Sequence, residues 1–547
     1  MTDLPASTEP APARTARRRP APPIARRRAI VAGLLAAAVV AAILVLALGG
    51  GSGAPPPATG AATVIPSDAL AYVNLSLDRG RPAVSQALAV SARFPDYPLA
   101  YAAVLRRLSA ILGGGRPVDL TRQIEPWLGD EAALAVLDTP TSTAGSLIVL
   151  STTDPARARA FIRSHGAVPH GAYRGTALYL YPTGSELALV SGYLVLGQDA
   201  SVRASIDVGA GATGSLVSSV VYQRAAATEP ADRVLDAYAS VAGVRRLLTP
   251  RVGLVGALGA LLYQPALQGV TIAVTPSSGG ARVQVHSALD PQLTRVSSPF
   301  TPTLQNVMPT GSVLMLDVTG LNRIAPQVLG AAATAGIAGR IGPLLSRLGG
   351  ALTAEGVNVS DLVSIFHGET AVAIIPHGQS PTLVIATRAP DPVKVRTELA
   401  QVEIPLAQLF ASPGGQVPTF NERQIGGATV RQLALANGLQ IAYSVFHGLL
   451  VISTSLAGVA AVVGPGHPLA TDPMFQSTLE GRPQRVTSLV YLDFGRLLAL
   501  GVQTGLTSSA RFAQLRSDLE KIAAIGLSST QSAGQSSAQL SIRIPSR

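Results

Sequence analysis

IEPWLGDEAALAV (Ile124–Val136) and VSIFHGETAVAI (Val363–Ile374) read as one motif written twice, with Trp127 on Phe366 and Gly129 on Gly368. The match extends outward in both directions. Before it, LAYVNLSL (70–77) resembles VLMLDVTG (313–320). After it, LIVLSTTDPARARAF (147–161) resembles LVIATRAPDPVKVRTEL (383–399), and SGYLVLG (191–197) resembles FHGLLVIS (446–453). Further on, AYASVAGVRRLL (237–248) resembles VYLDFGRLLAL (490–500). Five matches in one order are the mark of a duplication, and repetition outranks local propensity in judging architecture. Two copies follow, 63–295 and 300–547.

Inside each copy, short β-rich runs such as Leu147–Leu150, Tyr193–Leu196, Leu383–Ala386 and Leu449–Ile452 read as strands. Leu187–Val190 and Tyr193–Leu196 flank a glycine turn, which predicts an antiparallel hairpin. Asp154-Pro155 and Asp391-Pro392 open helices, since Asp accepts from free amides and Pro suits the first turn. Alanine- and leucine-rich segments near 98–112, 241–263, 322–352 and 495–523 read as further helices. The expected class is α+β: two tandem copies of a mostly antiparallel sheet packed with helices, preceded by one transmembrane helix.

That last element is AIVAGLLAAAVVAAILVLAL (Ala29–Leu48), twenty residues without a charge. At about 1.5 Å per residue it is long enough for a bilayer core of about 30 Å, and Ile30, Leu34, Leu35, Ile43, Leu44, Val45 and Leu46 are its candidate anchor residues. Seven arginines precede it against Asp3 and Glu9. Such clusters stay on the cytoplasmic side, so residues 1–28 are expected as a disordered cytoplasmic tail and the rest outside the cytoplasm. A cleaved signal peptide is the competing reading, but its apolar region is usually shorter. Residues 49–62 (GGGSGAPPPATGAA) form a Gly/Pro linker.

The chain carries 42 basic and 31 acidic residues; without the tail, 35 and 29 remain, spread diffusely. That argues against nucleic-acid binding. Cysteine is absent, which excludes disulfides, thiol nucleophiles and thiolate metal sites. The seven histidines show neither HExxH nor an i, i+4 pair. A GxGxxG occurs at Gly209–Gly214, yet it follows a segment that looks helical, so it reads as a helix end rather than a nucleotide loop. Asp317 and Asp493 close similar strings and are the one candidate acid–base pair, although their counterparts Asn74 and Ser240 favour a structural role. No catalytic, cofactor or metal residues are assigned.

The order Pro-x-Asp-x-x-x-Tyr (66–72), Trp127-Leu128-Gly129-Asp130-Glu131, Tyr173-Arg174-Gly175, Gly192–Gly197 and Ser215-Leu216 resembles a bacterial domain-of-unknown-function family of exported, single-span envelope proteins. The resemblance implies location and supplies no catalytic residue. The expected role is a binding or scaffold module of the envelope, not an enzyme, with the bilayer and an envelope protein or lipid as partners and no nucleic acid. Alternatives are a carrier or sensor of a hydrophobic ligand such as lipid, and an unrecognised envelope hydrolase.

Overall fold

The computed structural model describes residues 57–545 apart from 139–144, 249–264, 295–297, 322–364, 377–380, 409, 412–414, 436–439, 465 and 504–509. The expected tail, the run Ala29–Leu48 with its anchor residues Ile30, Leu34, Leu35, Ile43, Leu44, Val45 and Leu46, and most of the linker lie outside the described residues. So do the apolar segments Val252–Tyr263 and Gly330–Leu348.

Ten strands come from the first half: β1 Ala71–Ser76, β2 Leu128–Leu137, β3 Gly145–Thr152, β4 Val168–Tyr173, β5 Thr176–Leu180, β6 Glu186–Val190, β7 Tyr193–Gly197, β8 Leu235–Ser240, β9 Leu267–Ser277 and β10 Gly280–Leu289. Ten follow in the second: β11 Leu314–Thr319, β12 Glu369–Ile375, β13 Thr382–Arg388, β14 Phe420–Ile425, β15 Ala428–Ala434, β16 Gln440–Phe446, β17 Leu449–Ser453, β18 Ser488–Asp493, β19 Ala524–Gln531 and β20 Gln535–Arg543. The helices used below are α1 Pro82–Ser91, α2 Tyr97–Leu112, α3 Pro155–Ser164, α4 Asp199–Gly209, α5 Val220–Ala226, α6 Pro392–Gln408, α7 Leu456–Val463, α8 Pro473–Thr478, α9 Phe494–Gln503 and α10 Ala510–Leu519.

The expectation of two tandem sheets behind a membrane helix is overturned. All twenty strands of the described residues belong to one sheet, ordered β4-β5-β6-β7-β3-β2-β1-β8-β9-β10-β20-β19-β18-β11-β12-β13-β17-β16-β15-β14, and every pairing among them is antiparallel. Among the described residues no helix is long and apolar enough to cross a membrane. The order of the first ten strands recurs in the second ten, and the halves meet where β10 pairs β20 from Gly280↔Arg543 to Ala288↔Gln535. The physical reason is edge chemistry. Each last strand would otherwise present a row of unpaired amides and carbonyls; pairing them with each other satisfies both rows and sets Val283 beside Leu540.

The duplicated motif shows how the sequence steers local form. In the first half Glu131 stands opposite Ser76, and in the second Glu369 stands opposite Thr319. The first half carries one more residue between Gly129 and its glutamate than the second does after Gly368. The surplus is absorbed by a register shift between Leu128 and Ala132 where β2 meets β3, as a bulge does. Both glutamates then do the same work. Glu131 accepts from the amide of Ala61 at 2.9 Å and from Tyr193 Oη at 2.6 Å. Glu369 accepts from the amide of Leu304 at 2.9 Å and from both the amide and the hydroxyl of Thr303. Each clamps the 3-10 turn that precedes its half onto the sheet.

Asp154 caps α3 by accepting from the amides of Ala156 and Arg157, both at 3.0 Å. Asp391 does the same for Val393 and Lys394 at the start of α6. Replacing Asp154 with Ala should lower stability by about 1 kcal/mol, read as a shift in the denaturation midpoint with an unchanged slope. The GxGxxG stretch begins where α4 ends, and Gly211 takes φ +71° there. It terminates a helix in the left-handed conformation that glycine adopts without strain.

Candidate functional site

Alternation along the central strands separates two unlike faces. On one, Tyr72, Ala133, Ala135, Leu147 and Val149 are buried in a closely packed core that also takes in the Gly60–Val64 turn, α4 and α5. On the other, Leu75, Ala132, Leu134 and Ile148 are only half-buried although they lie mid-sheet. The register explains why they form one surface: Leu75 is opposite Ala132 and Leu235, Ala132 opposite Leu150, and Leu134 opposite both Val73 and Ile148.

Above that second surface lies a cavity of about 890 Å³. Strands β1, β2, β3 and β8 make its floor; Val104, Leu105, Leu108, Ile111 and Leu112 of α2 make its roof. Leu120, Ile124 and Val84 close its ends, and charges gather only toward the mouth: Asp78, Arg79, Arg107, Glu125 and Asp130. Arg79 and Glu125 pair there at 2.6 Å. Ser76, at the cavity's edge but on the strand face of Tyr72 and Asn74, is buried and its hydroxyl has no partner among the described residues.

The roof is held at its ends. At its start, the Asp96 amide donates to Asp518 Oδ1 at 3.0 Å, and Ser517 Oγ donates to Asp96 Oδ2 at 3.3 Å, tying α2 to α10 of the other half. At its far end Tyr181 Oη donates to the carbonyl of Leu112 at 2.7 Å. Between these points α2 rests on the hollow, and most of its described side chains are no more than half-buried. The matching floor of the second half carries Leu316, Val318, Val372 and Ile385, with Thr370 and Thr387 hydrogen-bonded at 2.9 Å where the first half has Ala132 and Leu150. Its connection over 322–364 lies outside the described residues.

The one acid–base pair singled out from sequence is not assembled. Asp317 stands opposite Leu489, whereas Asp493 follows Leu492, which is opposite Leu314. Four positions at about 3.3 Å each set them roughly 13 Å apart along the ladder. Asp493 instead accepts from the amide of Arg496 at 2.9 Å and caps α9, while Ser240 Oγ accepts from the amide of Gly243 at 3.2 Å. Asp317 and Asn74 are buried mid-strand and cap nothing. Sequence reasoning missed Asp317's actual neighbour, Glu369, whose carboxyl acts on it across β11 and β12, while neither oxygen of Asp317 has another partner among the described residues. Burial first, and the Glu369 charge second, push the Asp317 carboxyl up to about 8. Its two oxygens are both acceptors when ionised; only the protonated acid has a hydrogen to give Glu369. Among the described residues no group of three or more His, Asp or Glu could hold a metal ion.

The family described as "Protein of unknown function (DUF3352)" matches residues 29–544. The chain belongs to that family. No curated protein matches it. Crystal form I of TP0453 is similar at 12% identity and a TM-score of 0.25, covering 44% of this chain and 82% of that one. Crystal form III of the same protein overlaps at 11% identity and a TM-score of 0.24, covering 46% and 83%.

Proposed function

We propose that this member of the family is a binding module whose ligand is an apolar, chain-like molecule of the lipid class, held between α2 and the floor of β1, β2, β3 and β8. The observation that carries the reading is the half-buried row Leu75, Ala132, Leu134 and Ile148 beneath an apolar roof. Pockets for small molecules run about 300–1,000 Å³ and are mostly apolar with a few polar groups, and this one has that size and composition. Water suits its inner wall badly, because a buried water needs two to four polar partners and Leu75, Ala132, Leu134 and Ile148 offer no side-chain partner. A dry hole would suit it worse. Empty space against apolar walls also forfeits the dispersion contacts those walls could make. An acyl chain meets the walls by dispersion and leaves its head among the charges at the mouth.

Placement beside a membrane, outside the cytoplasm, belongs to the same proposal and rests on the arginines and the apolar run of residues 14–48. The hydrolase alternative loses its candidate pair with the separation of Asp317 from Asp493. Native mass spectrometry of the purified full chain, released from detergent in the gas phase, tests the reading. Adducts of lipid mass that survive detergent exchange and are displaced by added long-chain fatty acid are expected. A chain that carries and takes up neither would overturn it.

A further inference from the structure

We infer that the outward face of α2 docks on an anionic lipid surface, from which the chamber beneath it is filled; only the second clause rests on the function proposed above. The helix YPLAYAAVLRRLSAIL does not match the usual pattern of a covering helix. A helix covering a protein from the solvent side carries an apolar stripe inward and polar residues outward. At 3.6 residues per turn, Val104, Leu105, Leu108, Ile111 and Leu112 share the inward face, and these do roof the cavity. The opposite face holds Leu99, Arg106 and Ala110, all exposed, with Leu99 at 72%. Water is therefore offered aliphatic side chains where a soluble helix would place Glu, Lys or Gln.

What charge the helix has is of one sign. It contains no acidic residue, and Arg106 and Arg107 make no ion pair with any described residue. Tyr97 and Tyr101, stacked with ring centroids 5.7 Å apart, belong to the inward face, where Tyr101 lines the cavity. Outward aliphatic residues beside unpaired arginine suit the boundary between acyl chains and headgroups. Each basic residue near an anionic surface adds about 1 kcal/mol. A helix apolar on its outer face and hollow beneath its inner one is a wall between a bilayer and a pocket. Its ends are tied to α10 and to Tyr181, so the middle, around Val104 to Leu108, is where a chain could pass.

The chain contains no cysteine, so Leu99→Cys gives one labelling site for an environment-sensitive fluorophore in the full-length protein, and Glu480→Cys, on an exposed loop, gives the reference. Both are reconstituted into phosphatidylcholine vesicles with and without phosphatidylglycerol, doped with spin-labelled lipid. The expected result is a blue shift and several-fold stronger quenching at position 99 than at 480 when phosphatidylglycerol is present. The difference should fall to near the phosphatidylcholine level after Arg106→Glu with Arg107→Glu. A position-99 probe as aqueous as the reference in every vesicle overturns the docking, and so does a blue shift that appears without vesicles and grows with protein concentration, which would mean a protein partner. Lipid adducts seen by mass spectrometry with an aqueous probe would sink the docking and leave the ligand reading standing. A quenched probe on a chain without adducts would do the reverse.

Discussion

Asp317→Asn should make the protein more stable at pH 8 by an amount on the order of 5 kcal/mol, since each tenfold change in proton affinity is worth about 1.4 kcal/mol, and should do little at pH 4. The side chain is fully buried, and its carboxyl is pushed up to about 8 by desolvation and by Glu369. In the unfolded chain it titrates near 3.8. The folded state thus holds this proton more tightly than the unfolded one. The favourable contribution of the protonated acid is complete below about pH 4 and is lost as pH rises through about 8. Above that, folding must bury a second negative charge beside Glu369, which Arg388 and Arg482 only partly offset. An asparagine amide donates to Glu369 at every pH. Asn74 is the neutral group at the matching position of the first half, one pairing step from Glu131, and it donates to the Ala58 carbonyl at 2.8 Å. Urea denaturation of both proteins from pH 4 to 8 measures the effect as a difference in how steeply stability falls with pH. Some dependence persists in the variant, because Glu229, pushed up to about 8, and Glu186, to about 7, carry the same sign. Parallel curves would mean that Asp317 is ionised in the folded protein.

How far the sequence discloses this molecule depends on the range of the interaction concerned. Strand positions follow from period-two alternation, and β3, β7, β13 and β17 include the runs Leu147–Leu150, Tyr193–Leu196, Leu383–Ala386 and Leu449–Ile452. Helix starts follow from Asp-Pro pairs whose hydrogen bonds are two and three residues away. The merger of the sheets at β10 and β20 does not follow, because a strand's pattern says which face is apolar and nothing about which edge it meets. The Asp317–Glu369 contact escaped for a related reason. Glutamates 131 and 369 are one residue out of step in the aligned motifs, and the bulge that restores them is a property of the paired strands. The cavity was hidden too: Tyr97–Leu112 has the composition of a core helix, and only three-dimensional packing shows that its inner face stands off the sheet. The other apolar helical segments read from sequence, 241–263 and 322–352, lie mostly outside the described residues.

Ala132 and Ala133 are adjacent on β2 and point to opposite faces, which turns the reading of those faces into opposite expected effects of one substitution. Ala133 is 5% exposed within the closely packed core beside Tyr72 and Ala135. A tryptophan there has no room, and overpacking of this kind costs about 1–3 kcal/mol or more. Ala132 faces the hollow between Leu75 and Leu150. A tryptophan at that position enters space bounded by apolar walls and gains about 25 cal/mol per Å² of apolar surface removed from water. Ala132→Trp should therefore match or exceed the parent in melting temperature once both are stripped of lipid, and Ala133→Trp should fall several degrees below it. Ligand uptake should divide them the other way. Ala132→Trp is expected to lose at least tenfold in affinity for a long-chain fatty acid, because its indole occupies the chain's place, while whatever Ala133→Trp folds should still bind. Bound lipid raises the parent's melting temperature by mass action, so adding fatty acid should shift the parent and leave Ala132→Trp where it was. If Ala132→Trp instead melts as early as Ala133→Trp, the two faces are equally packed and there is no chamber for a ligand to fill.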